Sequence, residues 1–298
     1  MRVLVTGISG HVGGAVAKQL LEAGHEVHGV SRTLPVGPLA TACTCHAMGI
    51  AAPDFVEALS PMLGPCDAVV HAAACQDMRL DATKISRINA FGTHQVLALA
   101  LRLGARQCVY LSSLSLLGLP QTHPVTEAHP VAPSDAYALS KYYGEQLCHL
   151  AEAEGLPCAA LRISSPIGPG LRYRRIFRLF VEKALRHEPI TLHGQGARRQ
   201  DYVDVRDIAR AVLLTLEKAG GCSGVYQIGS GQPVSNRELA ESCIRTLDSR
   251  SEIGFSGQPD PHDAVCWDLS LEKAAKELGF APRHGLEDSI RNLAAELD

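Results

Sequence analysis

Aromatic residues are scarce in this chain, at 5% with a single tryptophan, Trp267, and long apolar runs are missing. The longest apolar stretches, such as Val96 to Leu101, fall far short of the ~20 residues that a bilayer span requires. No basic surplus exists: 28 Lys and Arg stand against 31 Asp and Glu, a formal net charge of −3. Such a balance cannot neutralise a phosphate backbone, which argues against nucleic acid as a partner. The start, Met1-Arg2-Val3-Leu4-Val5-Thr6-Gly7, has neither the apolar run nor the small-residue cleavage site of a signal peptide. These absences predict a soluble, cytoplasmic protein with no membrane partner. The thirteen histidines show no HxxxH or HExxH spacing, so no metal site is expected among them. Cysteine is plentiful at ten residues, but only Cys43 and Cys45 lie close together. Scattered thiols without a secretion signal read as reduced, and two thiols with no further ligand nearby do not make a zinc site.

What is present is a globular balance, 46% hydrophobic and 20% charged over 298 residues, enough for one large core or a core with a smaller lobe. Short β-branched or apolar runs alternate with helical periodicity. Arg2–Thr6 reads as a strand, Val12–Ala23 as a helix stopped by Gly24, and His25–Val30 as a second strand. Asp67–Ala74 is a continuous apolar run, Ile85–Leu103 a helix ended by Gly104, and Gln107–Ser112 a strand. Tyr137–Glu154 follows as a helix and Cys158–Ile163 as a strand, while Leu34–Cys45 looks like a loop. This alternation predicts an α/β, Rossmann-like, doubly wound parallel sheet with right-handed crossovers. Past Pro166 the pattern loosens into helices near Arg174–His187, Val205–Lys218 and Asn236–Leu247. The expected division is a dinucleotide-binding domain over 1–165, rejoined by 200–230, and a smaller substrate lobe over 166–199 and 231–298.

Thr6-Gly7-Ile8-Ser9-Gly10-His11-Val12-Gly13 joins the first strand to the first helix. Glycines at 7, 10 and 13 permit a tight turn, close approach of a pyrophosphate and close helix packing. The helix start then offers unpaired N–H groups and a favourable dipole. At the end of the second strand an acidic residue would bond the ribose hydroxyls of NAD, but Ser31-Arg32 stands there. Arginine suits the 2′-phosphate of NADP, so NADP is favoured and NAD is the alternative.

Tyr137-Ala-Leu-Ser-Lys141 sets a phenol and an ammonium four apart on one helix face. A nearby lysine stabilises the phenolate, which lets Tyr137 take a proton from an alcohol or return one to a carbonyl. Ser113, at a strand end, is placed to hydrogen-bond the same substrate oxygen. Trp267 is expected to pack the small lobe, and His71 to sit beside the cofactor only because its strand ends there.

Taken in order, these motifs resemble the extended short-chain dehydrogenases/reductases, the NAD-dependent epimerase/dehydratase group with its nucleotide-sugar epimerases and 4-ketoreductases. Thr6–Gly13 resembles the TGxxGxxG loop and Asp67–Ala74 the fourth-strand motif. Asn89-Ala-Phe-Gly-Thr93 resembles NxxGT, Leu111–Gly118 the SSxxxYG segment, and Tyr137 with Lys141 the YxxxK pair. Arg162–Gly170 resembles RxxNxYGPG, Gln200–Asp207 resembles RDYVYVDD, and Leu278-Gly-Phe280 the LGF segment. The resemblance implies catalytic roles for Ser113, Tyr137, Lys141 and Asn89. It implies cofactor contacts from Gly7, Ser9, Gly10, His11, Val12, Gly13, Ser31, Arg32, Ala72, Ala73, Ala74, Lys141 and Ser164. Substrate contacts fall to Ser113, Ser165, Arg199 and Gln200, and the homodimer of the family would form through Phe91–Leu103 and Ser140–Leu150.

Several positions depart from the family pattern. Gly49-Ile50 lacks the acidic adenine contact, Leu117 replaces a tyrosine, and Ser165 replaces the substrate-loop asparagine. Gln200 replaces an arginine that holds the diphosphate in sugar-nucleotide members, and no second arginine stands near Asp260-Pro-His-Asp263. Arg198 and Arg199, or Arg172, Arg174, Arg175 and Arg178, either substitute for them or lie on a solvated face. Ser113-Leu114-Ser115 lacks the acidic pair that the family's 4,6-dehydratases carry, so dehydration is not expected. The leading expectation is NADPH-dependent reduction of a keto group on a sugar, nucleotide-linked as the resemblance implies. A 4-epimerase with tightly bound NAD is the alternative. A non-catalytic dinucleotide sensor on the same fold is the third reading, and the retained Tyr137/Lys141 pair argues against it.

Overall fold

The computed structural model describes residues 1–77 and 79–297, so Asp298, the last residue of the expected lobe, lies outside them. Twelve strands run in chain order as β1 (Arg2–Thr6), β2 (Glu26–Ser31), β3 (Thr44–Ala47), β4 (Ala68–His71), β5 (Gln107–Ser113) and β6 (Cys158–Ile163), then β7 (Ser165–Ile167), β8 (Ile190–Leu192), β9 (Arg199–Asp204), β10 (Gly224–Ile228), β11 (Pro233–Ser235) and β12 (Ile253–Phe255). The helices are α1 (His11–Glu22), α2 (Pro38–Ala42), α3 (Phe55–Leu63), α4 (Ala82–Ser86), α5 (Gly92–Arg102) and α6 (Ala136–Ala153), then α7 (Ile176–Leu185), α8 (Val205–Glu217), α9 (Asn236–Thr246), α10 (Glu272–Leu278) and α11 (Leu286–Leu297).

Seven strands form one parallel sheet in the order β10-β6-β5-β4-β1-β2-β3. Its strands are buried on both faces, so alternate residues enter different cores. Val3 and Val5 of β1 meet Val16, Ala17 and Leu20 of α1 and Ile208 and Val212 of α8. Leu4 points the other way, against Phe55 and Leu59 of α3 and Val96 and Leu99 of α5. Each such side chain, fully withdrawn from water, contributes about 1.5–3 kcal/mol. The order reverses direction between β1 and β4, and the carboxyl ends of these two strands open the crevice where such sheets bind ligands.

A further core gathers α7, α9 and α11 around Phe177, Phe180, Leu239, Ile290 and Leu293. Beside it lie a three-stranded sheet, β11-β9-β7, and the pair β12-β8. Within the expected lobe, Ala274, Leu278 and Phe280 pack instead into the core of the large sheet. Two further expectations differ from the structure. Leu34–Cys45 holds α2 and the first residues of β3, the edge strand. Ile85–Leu103 is not one regular helix, because a π-helical segment over Arg87–Phe91 separates α4 from α5. Among the described residues no helix is long and apolar enough to cross a membrane, no His, Cys, Asp and Glu group is arranged to hold a metal ion, and the ten cysteines are free thiols.

Candidate active site

The glycine loop follows β1 directly. Gly7 has φ 72°, and a Cβ there would stand 2.8 Å from the backbone of Ala73, just beyond β4. A Cβ on Gly13 would stand 2.2 Å from the Gly7 carbonyl oxygen. Only glycine lets the loop fold this closely, and the result is a cradle at the switch point ahead of α1. No side chain caps the start of α1, which leaves N–H groups facing the crevice, an arrangement suited to a diphosphate. Ser9 and Gly10 lie in this loop, and His11 opens the helix. Nε2 of His11 lies 3.0 Å from the Pro169 carbonyl oxygen, tying the loop to the segment after β7. Burial lowers the His11 imidazole to about 4, against that hydrogen bond and the Asp204 charge, so the ring is neutral at pH 7 and donates to Pro169.

Val12 and Ser164 line a cavity of about 510 Å³ that continues from the cradle toward the lobe. The Ser164 hydroxyl is buried with no partner among the described residues, a free polar group where a cofactor contact is expected. These features fit a dinucleotide. At the end of β2, the buried Ser31 donates its hydroxyl to the Thr33 carbonyl at 2.7 Å, and Arg32 is exposed. Ala72, Ala73 and Ala74 follow β4, and the Ala73 N–H bonds Thr6 Oγ1 at 3.2 Å. His71 is not free to meet a ligand: its ring nitrogens bond Thr6 Oγ1 at 2.7 Å and Thr93 Oγ1 at 2.9 Å.

The proton-handling groups come from β5 and α6. Asp135 caps α6 by accepting from the Ala138 N–H at 2.8 Å, which fixes the first turn and with it Tyr137. Gly144 lets α6 settle on β5, since a Cβ there would stand 2.3 Å from the Tyr110 hydroxyl. Beneath the helix, buried Glu145 pairs with Arg162 of β6 at 2.8 Å and accepts from Ser112 of β5 at 2.6 Å. This locks α6 to both strands. Lys141 is 3% exposed, donates to the Leu111 carbonyl at 2.6 Å and lies 5.8 Å from the Tyr137 ring centre. Burial lowers its ammonium to about 8, partly opposed by Cys148 and Glu145. Burial also raises the Tyr137 phenol, and hydrogen bonds with Gln76 and Ser113 and the charge of Arg175 work against that rise. The Gln76 amide donates to the Tyr137 oxygen at 3.1 Å.

Ser113, Tyr137 and Gln76 therefore meet at one end of the cavity, with Ser115 beside them. Asn89 does not reach it. Its side chain bonds both the N–H and the carbonyl of Cys75, at 2.7 and 3.0 Å, and the Ser140 hydroxyl at 3.0 Å. Within the π-helical segment its side chain ties the loop after β4 to α6, away from the residues that line the cavity. Ser165 and Gln200 line the cavity and bond each other at 3.0 Å. Arg199 does not line it. Its guanidinium is held by Glu238 at 3.1 Å and the Pro233 carbonyl at 2.7 Å. Arg198, just before β9, and Gln200, Asp201 and Tyr202 within it line the cavity, whereas Arg199 does not. Gln76 and Tyr202 were not among the expected site residues, whereas Arg175 and Arg198 were among the arginines expected either to hold a diphosphate or to lie on a solvated face. Trp267 lines the cavity and also packs near Leu116 and Leu269.

Known proteins place this geometry. The model of the NAD dependent epimerase/dehydratase family matches residues 3–229. A dTDP-glucose 4,6-dehydratase of Streptomyces niveus is 28% identical, over 97% of this chain and 90% of that protein. A putative UDP-glucose 4-epimerase of Methanocaldococcus jannaschii is 27% identical, over 98% of this chain and 96% of its own. In structure, the UDP-glucose 4-epimerase of Thermotoga maritima, solved with UDP-glucose, superposes with a TM-score of 0.89 at 24% identity, covering 100% of this chain and 98% of that one. The Thermus thermophilus UDP-glucose 4-epimerase, solved with NAD, gives 0.86 at 24% identity, covering 99% and 98%. The chain is an enzyme of the extended short-chain dehydrogenase/reductase type and belongs to the NAD dependent epimerase/dehydratase family.

Proposed function

We propose that this enzyme is a nucleotide-sugar 4-epimerase that works with tightly held NAD. The observation that carries the reading is the presence of one proton carrier, Tyr137, in a cavity whose acids are otherwise engaged. Among the described residues only Asp135 and Asp201 line it as acids. Asp135 caps α6, and Asp201 accepts from the Ser230 N–H and hydroxyl, both at 2.8 Å. Leu114 and Ser115 follow Ser113 where a dehydration would need an acid and a base. Removing and returning hydrogen at one carbon needs one group to take and give the proton. Bound in the cradle, a nicotinamide dinucleotide supplies the hydride-carrying chemistry.

Each residue has a part in that exchange. Gly7, Gly10 and Gly13, with the start of α1, hold the diphosphate, and Ser9, His11, Val12, Ala72, Ala73, Ala74 and Ser164 shape the rest of the cofactor site. Lys141 favours the phenolate of Tyr137 by its charge. Tyr137 takes the proton of the substrate hydroxyl and returns it to the carbonyl oxygen. Ser113 and Gln76 donate to the oxygens on which negative charge collects. Ser165 and Gln200 offer neutral donors and acceptors to the sugar nucleotide. The NAD-bearing structural relatives and the family's NAD dependence support NAD over the NADP expected from Ser31-Arg32.

A second reading, NADPH-dependent reduction of a keto-sugar, is favoured by the exposed Arg32 guanidinium at the end of β2. The two separate on the cofactor that the purified protein retains. Denaturing the protein and identifying the released dinucleotide by chromatography and mass should give NAD near one per chain. A protein that releases none and binds NADPH more tightly than NADH moves the assignment to the reductase. A homodimer is part of the reading, supported by Leu139, Tyr143 and Leu150 exposed along one face of α6 and by Phe91 beside it. Sedimentation of a monomer at micromolar concentration removes that part.

A further inference from the structure

We infer that Arg175 selects substrates with a carboxylate on the sugar ring beside the reacting carbon, so that nucleotide-linked uronic acids are bound in preference to neutral hexoses. The inference rests on the nucleotide-sugar reading above. It starts from an arrangement that is locally unfavourable. The positive end of a helix dipole lies at its N-terminus, where acids stabilise and cations do not. Yet Arg172, Arg174, Arg175 and Arg178 crowd the start of α7, and the first turn holds no acid. Two of them are compensated: Nε of Arg174 and of Arg178 donate to Glu182 at 3.0 and 2.6 Å. Arg175 is not. Its side chain lines the cavity and has no hydrogen bond or ion pair among the described residues.

Other groups on this wall also lack an acceptor. The first N–H groups of α7 have no side-chain cap, because their N-cap position is Arg175 itself. Tyr202 also lines the cavity and is 6% exposed, and its buried hydroxyl has no partner among the described residues. Its ring lies 6.1 Å from that of Phe177, in the first turn of α7. The other cation of the cavity, Arg198, is already paired with Asp260 at 2.9 Å. A cation, a buried phenol and an uncapped helix start together call for an anion, and a guanidinium matches a carboxylate with two parallel hydrogen bonds.

The position of Arg175 tells which anion. Arg175 and Tyr137 line the same cavity, and the Arg175 charge opposes the burial-driven rise of the Tyr137 phenol, so the group it holds shares that cavity with the oxygen that exchanges the proton. In a pyranose reacting at C4 the diphosphate is carried on C1, across the ring, whereas a C6 carboxylate is attached to C5, next to the reacting carbon. The same wall would leave Arg175 without a partner beside a neutral hydroxymethyl group.

The test is equilibrium binding by calorimetry to the whole protein with saturating NAD, using UDP-glucuronate and UDP-glucose, and the corresponding dTDP sugars. The wild type should prefer the uronate by about tenfold, the scale of one charge-assisted pair at a partly open site. Arg175→Met should bring the two affinities to within about twofold, and Arg175→Lys should retain part of the preference. Arg175 is exposed, so the variants should keep the wild-type melting temperature, which is checked alongside. Three results overturn the inference while leaving the nucleotide-sugar reading intact: tighter binding of the neutral sugar, a preference unchanged by Arg175→Met, or an equal loss for both ligands, which would place Arg175 on the shared diphosphate. Binding of neither sugar overturns both readings together.

Discussion

Replacing Gln76 with leucine removes a side-chain donor from the oxygen of Tyr137 while keeping most of the side-chain volume. The bond spans 3.1 Å in a part-buried setting and joins residues 61 apart in the chain. A hydrogen bond to a charged group is worth about 1.5–3 kcal/mol. The cavity is open enough for water to replace part of this, so the lower end applies. At about 1.4 kcal/mol per unit, the phenol of the variant should titrate about one unit higher. The assay is kcat/KM against pH, from roughly pH 6 to 10, in the direction that begins with removal of the hydroxyl proton. Activity there rises with the phenolate fraction, so the acid limb of the Gln76→Leu profile should move up by about one unit. Gln76→Glu, which sets a like charge beside the phenolate, should move it further in the same direction. An unmoved limb in a folded, dinucleotide-binding variant would refute the role given to this amide.

Three other changes test the framework around the site. Gly13→Ala puts a methyl group 2.2 Å from the Gly7 oxygen; dinucleotide affinity should fall by at least about tenfold as the loop is displaced, and wild-type affinity in a titration would show that the cradle is looser than drawn. Glu145→Leu leaves Arg162 buried without its carboxylate and should cost about 3–5 kcal/mol in urea unfolding; a change below about 1 kcal/mol would mean that water or another acceptor replaces it. Lys141 is held at about 8 by burial, against an ordinary value of 10.5, so between these values the folded state binds fewer protons than the unfolded one. The stability of the wild type relative to Lys141→Met should therefore rise as pH climbs through this window, by up to about 3 kcal/mol. A pH-independent difference would contradict the burial of a charged ammonium.

The parts of the fold legible in the sequence are those with their own period or punctuation. The alternation of apolar strands with glycine-stopped helices marks β1, α1, β5, α6 and β6 to within a residue or two, because burial on both faces of a parallel strand forces a continuous apolar run. The edge strand β3, Thr-Cys-His-Ala, is half-exposed and has no such run. Three-residue strands such as β7, β8 and β11 exist only because tertiary pairing supplies their partners. The π-helical segment leaves the hydrophobic pattern of Ile85–Leu103 intact and changes only the backbone bonding, so periodicity does not reveal it.

At the site, Tyr137, Lys141 and Ser113 were readable because helix spacing and a strand end place them. Gln76 sits in a loop without periodicity, and only Asn89 pinning the Cys75 backbone brings that loop to α6. Arg198 rather than Arg199 lines the cavity because the Arg199 guanidinium is drawn to Glu238 and the Pro233 carbonyl, tertiary partners that spacing does not reveal. The cationic crowding before α7 was visible in the sequence, but which arginines are paired depends on the reach of Glu182 back along the helix to Arg174 and Arg178.

The central claim is that one retained dinucleotide and one phenol interconvert two C4 epimers. It is tested most directly by incubating purified protein, with no dinucleotide added, with each epimer of a UDP-linked hexose or hexuronate, and following the anomeric signals by NMR. The wild type should bring both starting epimers to the same equilibrium mixture. Tyr137→Phe, still carrying its dinucleotide, should slow this by about 10²–10⁴-fold. No interconversion by wild-type protein shown to hold NAD, or full activity in Tyr137→Phe, would contradict it.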